Sequence, residues 1–224
     1  MISGCRVADP TEAFEKAVEW VVEEGTWVGE KKEVAPYVCG IVNPSDEVDD
    51  WIIEELDDFH GEDHFEITSQ WTFPEQVDTG LTGEPRPNDS SGEYFERLCT
   101  SPTNQIESMR SKIEQWGRNN RTVAQVFQVE RDLNAMFPPC LLTVQVLYRD
   151  GDINIVGHYR SHTICKSYLG DIVSLYRLQR YLANNVNVSP SPGVGEMTIF
   201  SSSLHTRKKN NEHEFTERIY DRLQ

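Results

Sequence analysis

Hydrophobic residues recur every three or four positions in five stretches of the chain, and this spacing predicts five amphipathic helices. The stretches are residues 9–25, 45–59, 103–119, 167–186 and 214–223. The first has Asp9 as a candidate N-cap, Pro10 at the first helical position and Gly25 at its end. We expect the second and third helices each to bury one apolar face. Those faces comprise Val48, Trp51, Ile52 and Leu56, and Ile106, Met109, Ile113 and Trp116.

Runs rich in β-branched and aromatic residues predict five strands, at residues 34–43, 122–129, 140–151, 152–161 and 196–205. The Asp150-Gly151 pair predicts a tight turn between the third and fourth, which sets residues near 142 opposite residues near 159. Residues 68–92 are rich in Pro, Gly, Ser and Asp, which indicates a long irregular segment, either a binding loop or disordered. The order of elements predicts an α+β fold with a mainly antiparallel sheet packed with helices, in one domain over residues 1–224.

The charge balance limits the kinds of ligand the protein can bind. There are 37 acidic and 21 basic residues, for a net charge of -16. A broad phosphate-binding face for duplex nucleic acid is therefore not expected, and a few arginines in a pocket must hold any anionic ligand. The acidic surplus fits either a salt-adapted host or an ordinary acidic cytosolic protein.

Neither a membrane span nor a secretory signal is evident in the sequence. No run of about 18 apolar residues occurs, and the N-terminal stretch lacks the basic and apolar regions of a signal peptide. We therefore expect a cytoplasmic protein that contacts no membrane. The five cysteines are an odd number without CxxC spacing, which argues for free thiols rather than a disulfide framework or a metal site.

The segment FPPCLL, residues 137–142, places Cys140 behind two prolines at the start of a predicted strand. A lone cysteine in this position is more often a small buried hydrophobe than a reactive group. The predicted hairpin brings Arg160 and Ser161 to the same edge of the sheet, where an arginine lowers a thiol pKa and binds anions. Taken alone, Arg160 is better explained as a solvated strand end, so both interpretations of Cys140 stay open.

The spacing of polar residues around Cys140 is more specific than any one of them. Arg121 lies 19 residues before the cysteine, and Arg160 and Ser161 lie 20 and 21 residues after it. Together with the Pro-Pro-Cys motif, this makes residues 118–182 resemble the catalytic half of the thymidylate synthase family, which includes the pyrimidine nucleotide hydroxymethylases.

Two further segments extend the resemblance to roughly residues 92–207. GEYFERL resembles the family's tyrosine-bearing segment and contains Tyr94, and GEMTIFSSSLH resembles a later strand whose histidine, here His205, contacts the sugar. The resemblance implies a thymidylate synthase-like fold.

The resemblance also implies a reaction. Cys140 adds as a thiolate to C6 of a pyrimidine nucleoside monophosphate, which makes C5 a carbon nucleophile. C5 then takes a one-carbon unit from 5,10-methylenetetrahydrofolate and loses its proton, and hydride or water completes a methyl or hydroxymethyl group. Arg160 and Ser161 match the family's phosphate ligands. Arg121 matches an arginine that reaches the phosphate of the neighbouring subunit, which implies a homodimer.

Asp171, eleven residues after Arg160, departs informatively from thymidylate synthases, which have a uracil-reading asparagine there. A carboxylate accepts from the N4 amine of cytosine, and its protonated form also donates to cytosine N3, whereas an ionised carboxylate repels O4 of uracil. Aspartate here is the pattern of cytidylate hydroxymethylases. The alternative is an acidic residue that only favours a helix N-terminus.

Other departures concern the second substrate, the sugar and the phosphate. Thr163 stands where the family usually has an aspartate that anchors the folate ring, and Arg207 stands where a tyrosine contacts the sugar. Asn120 replaces one of a pair of arginines, a loss that Arg118 is placed to offset.

The general base is the least defined position. The family places a glutamate on an N-terminal helix, and Glu55 is the best candidate, with Glu54 and Asp58 as rivals on a helix acidic enough to be simply a solvated face. Tyr94 fits a proton-handling network near C5 or a role in packing alone.

Three hypotheses follow from these residues. The first is a homodimeric, folate-dependent C5-hydroxymethylase of CMP or dCMP, and the second is a divergent thymidylate synthase that methylates dUMP. The third is a nucleotide-binding or RNA-binding protein that retains the fold without catalysis. Asp171 opposes the second, while Cys140, Arg160 and Ser161 oppose the third.

Overall fold

The computed structural model describes residues 3–70, 73, 92–99 and 103–224. Most of the predicted irregular segment, residues 68–92, lies outside the described residues. The described residues form two mixed sheets with helices packed against them. None of the helices in these ranges is both long and apolar enough to cross a membrane.

Within the described residues, the first sheet has six strands, in the spatial order β1, β4, β9, β7, β6, β5. The bounds are β1 (Ser3–Val7), β4 (Tyr37–Ile41), β5 (Thr122–Gln125), β6 (Leu141–Arg149), β7 (Asp152–Tyr159) and β9 (Gly193–Ser201). The β1–β4 and β7–β9 pairs are parallel and the other three are antiparallel.

The second sheet has four short strands in the described part of the chain, in the order β2, β3, β10, β8. They are β2 (Thr26–Val28), β3 (Lys31–Val34), β8 (His162–Thr163) and β10 (Leu204–Arg207). Only the β8–β10 pair is parallel here. Antiparallel pairs thus outnumber parallel ones across the described residues, which agrees with an α+β fold, although both sheets are mixed.

Eight α-helices occur in the described ranges. They are α1 (Pro10–Glu24), α2 (Asp50–His60), α3 (His64–Thr68), α4 (Gly92–Cys99), α5 (Gln105–Trp116), α6 (Val129–Asp132), α7 (Leu169–Asn185) and α8 (Glu212–Leu223). A π-helical turn, Ile164–Tyr168, leads into α7, and a 3₁₀ turn, Lys209–Asn211, leads into α8. All five predicted helices are present, and α3, α4 and α6 were not predicted.

Local signals explain several of these boundaries. The Asp9 carboxylate accepts from the Glu12 N–H at 2.9 Å, which caps α1 as predicted. At the β6–β7 turn, Asp150 and Gly151 have φ of 55° and 98°, the left-handed conformation that a tight hairpin turn requires. The turn confirms the predicted hairpin.

Two sequence expectations were wrong. Residues 196–205 form two strands rather than one, because the Ser202 N–H donates to the Tyr159 carbonyl while the Ser203 carbonyl accepts from His162, so the chain changes sheets there. Trp116 is 47% exposed and does not join the buried face that Ile113 belongs to, since it ends the last turn of α5.

The start of α7 is fixed by close packing. A Cβ on Gly170 would lie 2.3 Å from Thr68 Oγ1, so only glycine allows α3 to approach α7 this closely. The π-helical turn before it is held from the same side, because the His60 and His64 Nε2 atoms lie 2.7 and 2.8 Å from the Cys165 and Lys166 carbonyl oxygens. These contacts set where the first turn of α7 points.

Candidate active site

The β6–β7 hairpin brings Cys140 and Arg160 together. Leu141 pairs with Tyr159, and the Arg160 N–H donates to the Cys140 carbonyl at 2.9 Å, as the predicted register requires. The Arg160 guanidinium donates from Nε to the Pro139 carbonyl at 3.0 Å and from Nη2 to the Pro138 carbonyl at 2.6 Å. Arg160 therefore holds the Pro-Pro-Cys backbone in place, and the half-buried Ser161 follows it directly.

Tyr94 contacts the same cysteine from α4. The Cys140 N–H donates to the Tyr94 hydroxyl oxygen at 2.9 Å. Burial raises the pKa of Tyr94 well above its usual value, and the negative charges of Asp171 and Cys140 raise it further. Tyr94 is thus a neutral phenol within reach of the thiol.

A buried ion pair anchors the helix that supplies Tyr94. Arg97 donates from Nη2 to Asp132 at 3.0 Å and from Nη1 to the Val126 carbonyl at 3.0 Å. Asp132 also accepts from the Gln128 N–H at 2.7 Å. Although burial works to raise the pKa of Asp132, Arg97 and the Gln128 N–H outweigh it and the pKa is lowered. Both side chains are 2% exposed, so the pair fixes α4 against α6 from within the core.

Asp171 lies in the first turn of α7 and is 1% exposed. Its Oδ2 lies 3.1 Å from His162 Nε2, and His162 Nδ1 lies 2.7 Å from Ser201 Oγ. Its Oδ1 has no hydrogen-bond partner among the described residues. A buried carboxyl with one oxygen held and the other unsatisfied is costly in a fold unless a ligand completes it.

The carboxyl of Asp171 is electrostatically linked to the thiol. Burial raises the pKa of Asp171, and the hydrogen bond with His162, with a smaller effect of the nearby Ser167 hydroxyl, opposes that rise. Burial also raises the pKa of Cys140, and the charge of Asp171 raises it further. The charge of Arg160 is the largest effect that lowers this pKa, and Tyr94 and Arg207 lower it less. Cys140, Tyr94 and Asp171 therefore share one site, and Arg160 supplies the main charge that favours a thiolate.

His205 lies on β10 beside this site, and it is fully buried. Its Nε2 lies 3.2 Å from Thr163 Oγ1 and accepts from Arg207 Nε at 3.2 Å, and its Nδ1 lies 3.3 Å from Ser203 Oγ. Burial, with smaller effects of Lys31 and Arg207, lowers the pKa of His205 to about 3. His205 is thus a neutral imidazole at physiological pH.

Two predicted site residues lie apart from Cys140. Both oxygens of Glu55 accept from the C-terminal helix, from Arg218 at 2.7 Å and from Arg222 at 2.9 Å, and its rivals Glu54 and Asp58 are exposed. Arg121 is also exposed. It precedes the Thr122–Val146 pair, so it lies roughly 20 Å along β6 from Cys140. Neither residue contacts the thiol within the described part of the chain.

The sequence interpretation missed the Ser201–His162–Asp171 chain. His162 and Asp171 were nine positions apart in the sequence, and Ser201 joins them only because β9 runs parallel to β7. Arg207 was noted only as a departure, yet its charge acts on both His205 and Cys140. His162 is visible in the sequence next to Arg160 and Ser161, but its hydrogen-bond partners depend on the order of the strands in the sheet.

One position for which the resemblance names a folate contact departs from the family, because Thr163 stands where the family has an aspartate. Thr163 offers no carboxylate, and its hydroxyl is in contact with His205. We therefore assign no folate contact.

Over the described ranges, no cluster of three or more His, Cys, Asp or Glu side chains is placed to hold a metal ion.

Comparison with known proteins gives distant matches of one kind, and no protein-family model matches the chain. The chain is 30% identical over 126 residues to a Methanocaldococcus jannaschii protein named "Putative thymidylate synthase", which covers 51% of this chain and 54% of that protein. It is 28% identical over 114 residues to a protein of the same name from Methanosarcina barkeri (50% and 51%). It is 24% identical over 108 residues to another from Methanopyrus kandleri (47% and 49%). The chain spans about half the length of these relatives, and the matches support a thymidylate synthase-like family.

Proposed function

We propose that this protein is a folate-dependent C5-hydroxymethylase that acts on a cytidine monophosphate, CMP or dCMP. The observation that carries the proposal is the state of Asp171, a fully buried carboxyl whose Oδ1 is unsatisfied and whose charge acts on Cys140. A cytosine ring bound over the thiol supplies the missing donor, because its N4 amine donates to Oδ1. Uracil presents an oxygen at the same place, which leaves two acceptors facing each other.

His162 sets which atom of residue 171 the base meets. Asp171 Oδ2 is an acceptor, so His162 Nε2 is assigned as the donor, and Nδ1 then accepts from the Ser201 hydroxyl. This orientation directs Oδ1 away from His162 and toward the ligand. His162 is therefore a positioning residue for the base-reading carboxyl.

The remaining residues serve the nucleophile. Cys140 adds to C6, and Arg160 stabilises the thiolate that burial otherwise disfavours. Tyr94, neutral and in contact with Cys140, is placed to carry protons near the ring. Methylenetetrahydrofolate would supply the one-carbon unit to C5, and the C5 proton and tetrahydrofolate would leave. Water would then add to the exocyclic methylene and the Cys140 thiol would be released from C6.

The phosphate has two sources of positive charge in this proposal. Nε and Nη2 of Arg160 hold proline carbonyls, and within the described residues no hydrogen bond occupies Nη1, which leaves it for the phosphate beside Ser161. The exposed position of Arg121, far along β6, supports a contact with the phosphate bound to a second copy of the chain, so the active unit is a homodimer. His205 is the proposed contact of the sugar.

Glu55 stays the proposed base for the C5 proton, on the condition that its ion pairs with Arg218 and Arg222 open when substrate binds. Glu55→Gln tests this assignment against Tyr94→Phe. A variant in which Cys140 still adds to C6 of the nucleotide has lost a group that acts after the addition. A variant in which this addition fails has lost a group that is needed before it.

Release of tritium from C5 tests the function. Thiolate addition at C6 makes C5 exchangeable, so the full chain should release tritium from C5-labelled CMP or dCMP and not from UMP or dUMP, and Cys140→Ser should release none. Omission of methylenetetrahydrofolate separates addition by Cys140 from one-carbon transfer. If neither cytidylate loses its label, the proposal is wrong.

The second candidate is a divergent thymidylate synthase that methylates dUMP, and the names of the archaeal relatives favour it. It predicts tritium release from dUMP alone and a methyl product. A binding protein without catalysis predicts no release from any of the four nucleotides.

A further inference from the structure

Cys5 and Cys39 form a close pair of thiols outside the candidate active site. They stand directly opposite each other in the parallel β1–β4 pair, and their Sγ atoms are 3.4 Å apart. The Tyr37 hydroxyl lies 3.1 Å from Cys5 Sγ. Both side chains lie on the face of the sheet that packs on α1, where Glu12 and Lys16 act electrostatically on Cys5.

The backbone geometry suits a bond between these sulfurs. Neighbouring strands lie about 4.8 Å apart, so opposed residues fall within the Cα separation that disulfides span, about 4.4–6.8 Å. The Sγ atoms need to approach by only about 1.4 Å to reach a bonding distance of about 2.05 Å.

The two thiols have complementary reactivities. The hydrogen bond from Cys39 lowers the pKa of Cys5 to about 7; burial opposes this effect, and the Tyr37 hydroxyl reinforces it. The hydrogen bond to Cys5, together with burial, raises the pKa of Cys39. Cys5 is half-buried in an edge strand of the described sheet, and Cys39 is fully buried. Cys5 is therefore the reactive, accessible thiol, and Cys39 is the resolving thiol behind it.

The other three cysteines lack this arrangement. Burial raises the pKa of Cys99 to about 12 and also raises those of Cys140 and Cys165. No sulfur-to-sulfur contact joins any of them in the described ranges.

We propose that Cys5 and Cys39 form a reversible disulfide by exchange with low-molecular-weight disulfides. The Cys5 thiolate attacks one sulfur of RS–SR, which forms a Cys5–SR mixed disulfide and releases RS⁻. The Cys39 sulfur gives up its proton and attacks the Cys5 sulfur, which forms the Cys5–Cys39 bond and releases a second RS⁻. The protein loses two electrons and two hydrogens, and RS–SR is reduced to two thiols.

The test treats the reduced full chain with oxidised glutathione at pH 7.5, blocks free thiols with an alkylating reagent and maps them by mass spectrometry. The thiol count should fall from five to three, with a peptide pair joined through Cys5 and Cys39, and dithiothreitol should restore all five. In the reduced protein, Cys5 should alkylate at least roughly 10-fold faster than Cys99, because far more of it is thiolate.

Variants separate the two steps. Cys39→Ser should stop at a glutathione adduct on Cys5, Cys5→Ser should not react, and the matched control Cys99→Ser should behave like the unaltered chain. The proposal is overturned if the unaltered chain keeps five thiols, retains the adduct on Cys5 without closing the bond, or joins another pair. These outcomes are read on the unaltered chain, so a variant that fails to fold does not obscure them.

Discussion

If the proposed function is right, replacing Asp171 by asparagine should exchange the preference of the protein for cytosine over uracil. His162 Nε2 donates to the oxygen at the Oδ2 position, so the amide of Asp171→Asn places its oxygen there and turns its NH₂ toward the base. That NH₂ cannot form a hydrogen bond with the N4 amine of cytosine, because both groups are donors. It can donate a hydrogen bond to O4 of uracil. Each gained or lost buried hydrogen bond changes the free energy by about 1–3 kcal/mol, so the selectivity ratio should move by about 2–6 kcal/mol. This corresponds to a change of roughly 30-fold or more in the ratio of kcat/KM values.

The assay compares C5-tritium release from dCMP and dUMP, or from CMP and UMP. Asp152→Asn, at the exposed start of β7, is the matched control for loss of one negative charge and should leave the ratio unchanged. A ratio that stays within about threefold in a folded Asp171→Asn variant would refute the base-reading role, since that role requires a change of roughly 30-fold.

The free energy of unfolding shows whether the Asp171→Asn variant is folded. Burial raises the pKa of Asp171, so a bound proton favours the folded state. That contribution is fully present below the unfolded-state pKa of about 3.9 and is lost as pH rises through the folded-state pKa. Asp171→Asn lacks the buried charge, so its free energy of unfolding relative to the unaltered chain should increase as pH rises above the unfolded-state pKa of about 3.9. A decrease would mean that the buried carboxylate stabilises the fold.

Three further predictions test the frame around the site. Asp132→Ala leaves Arg97 buried without its carboxylate and should lower the free energy of unfolding by about 3–5 kcal/mol in urea; a loss below about 1 kcal/mol would contradict the buried pair. The pKa of His205 is lowered to about 3, so its contribution to the free energy of unfolding is complete above pH 6.5 and declines as pH falls. At pH 5 the free energy of unfolding should be lower by about 2 kcal/mol, and His205→Gln should not show this decrease. Arg160→Gln removes the charge that opposes the raised pKa of Cys140, so the pH midpoint for alkylation of Cys140 by iodoacetamide should move to higher pH. An unchanged midpoint would mean that Arg160 does not activate the thiol.

The part of the site that depended on local pairing could be predicted from the sequence. The Asp150-Gly151 turn and the alternation of β6 and β7 fix which residues are opposite, so the contact between Cys140 and Arg160 was accessible to reasoning. The contact between Tyr94 and Cys140 was suggested only by resemblance, because α4 and β6 are far apart in sequence and the ion pair that joins α4 to α6 has no periodic signal.

The rest of the site required the sheet order. Ser201 meets His162 because β9 lies beside β7 and the chain then crosses to the second sheet at Ser202, and hydrophobic patterning does not encode such a crossing. The acidic face of α2 made Glu55 a reasonable candidate base. The partners that occupy its carboxylate come from α8, at the other end of the sequence.

The most direct test of the account is the mass of the product formed from a cytidylate. The full chain, incubated with CMP or dCMP and methylenetetrahydrofolate, should give a nucleotide heavier by one CH₂O unit, with the added group on C5, and Cys140→Ser should give none. Recovery of both cytidylates unchanged, or a methylated product from dUMP alone, would contradict it.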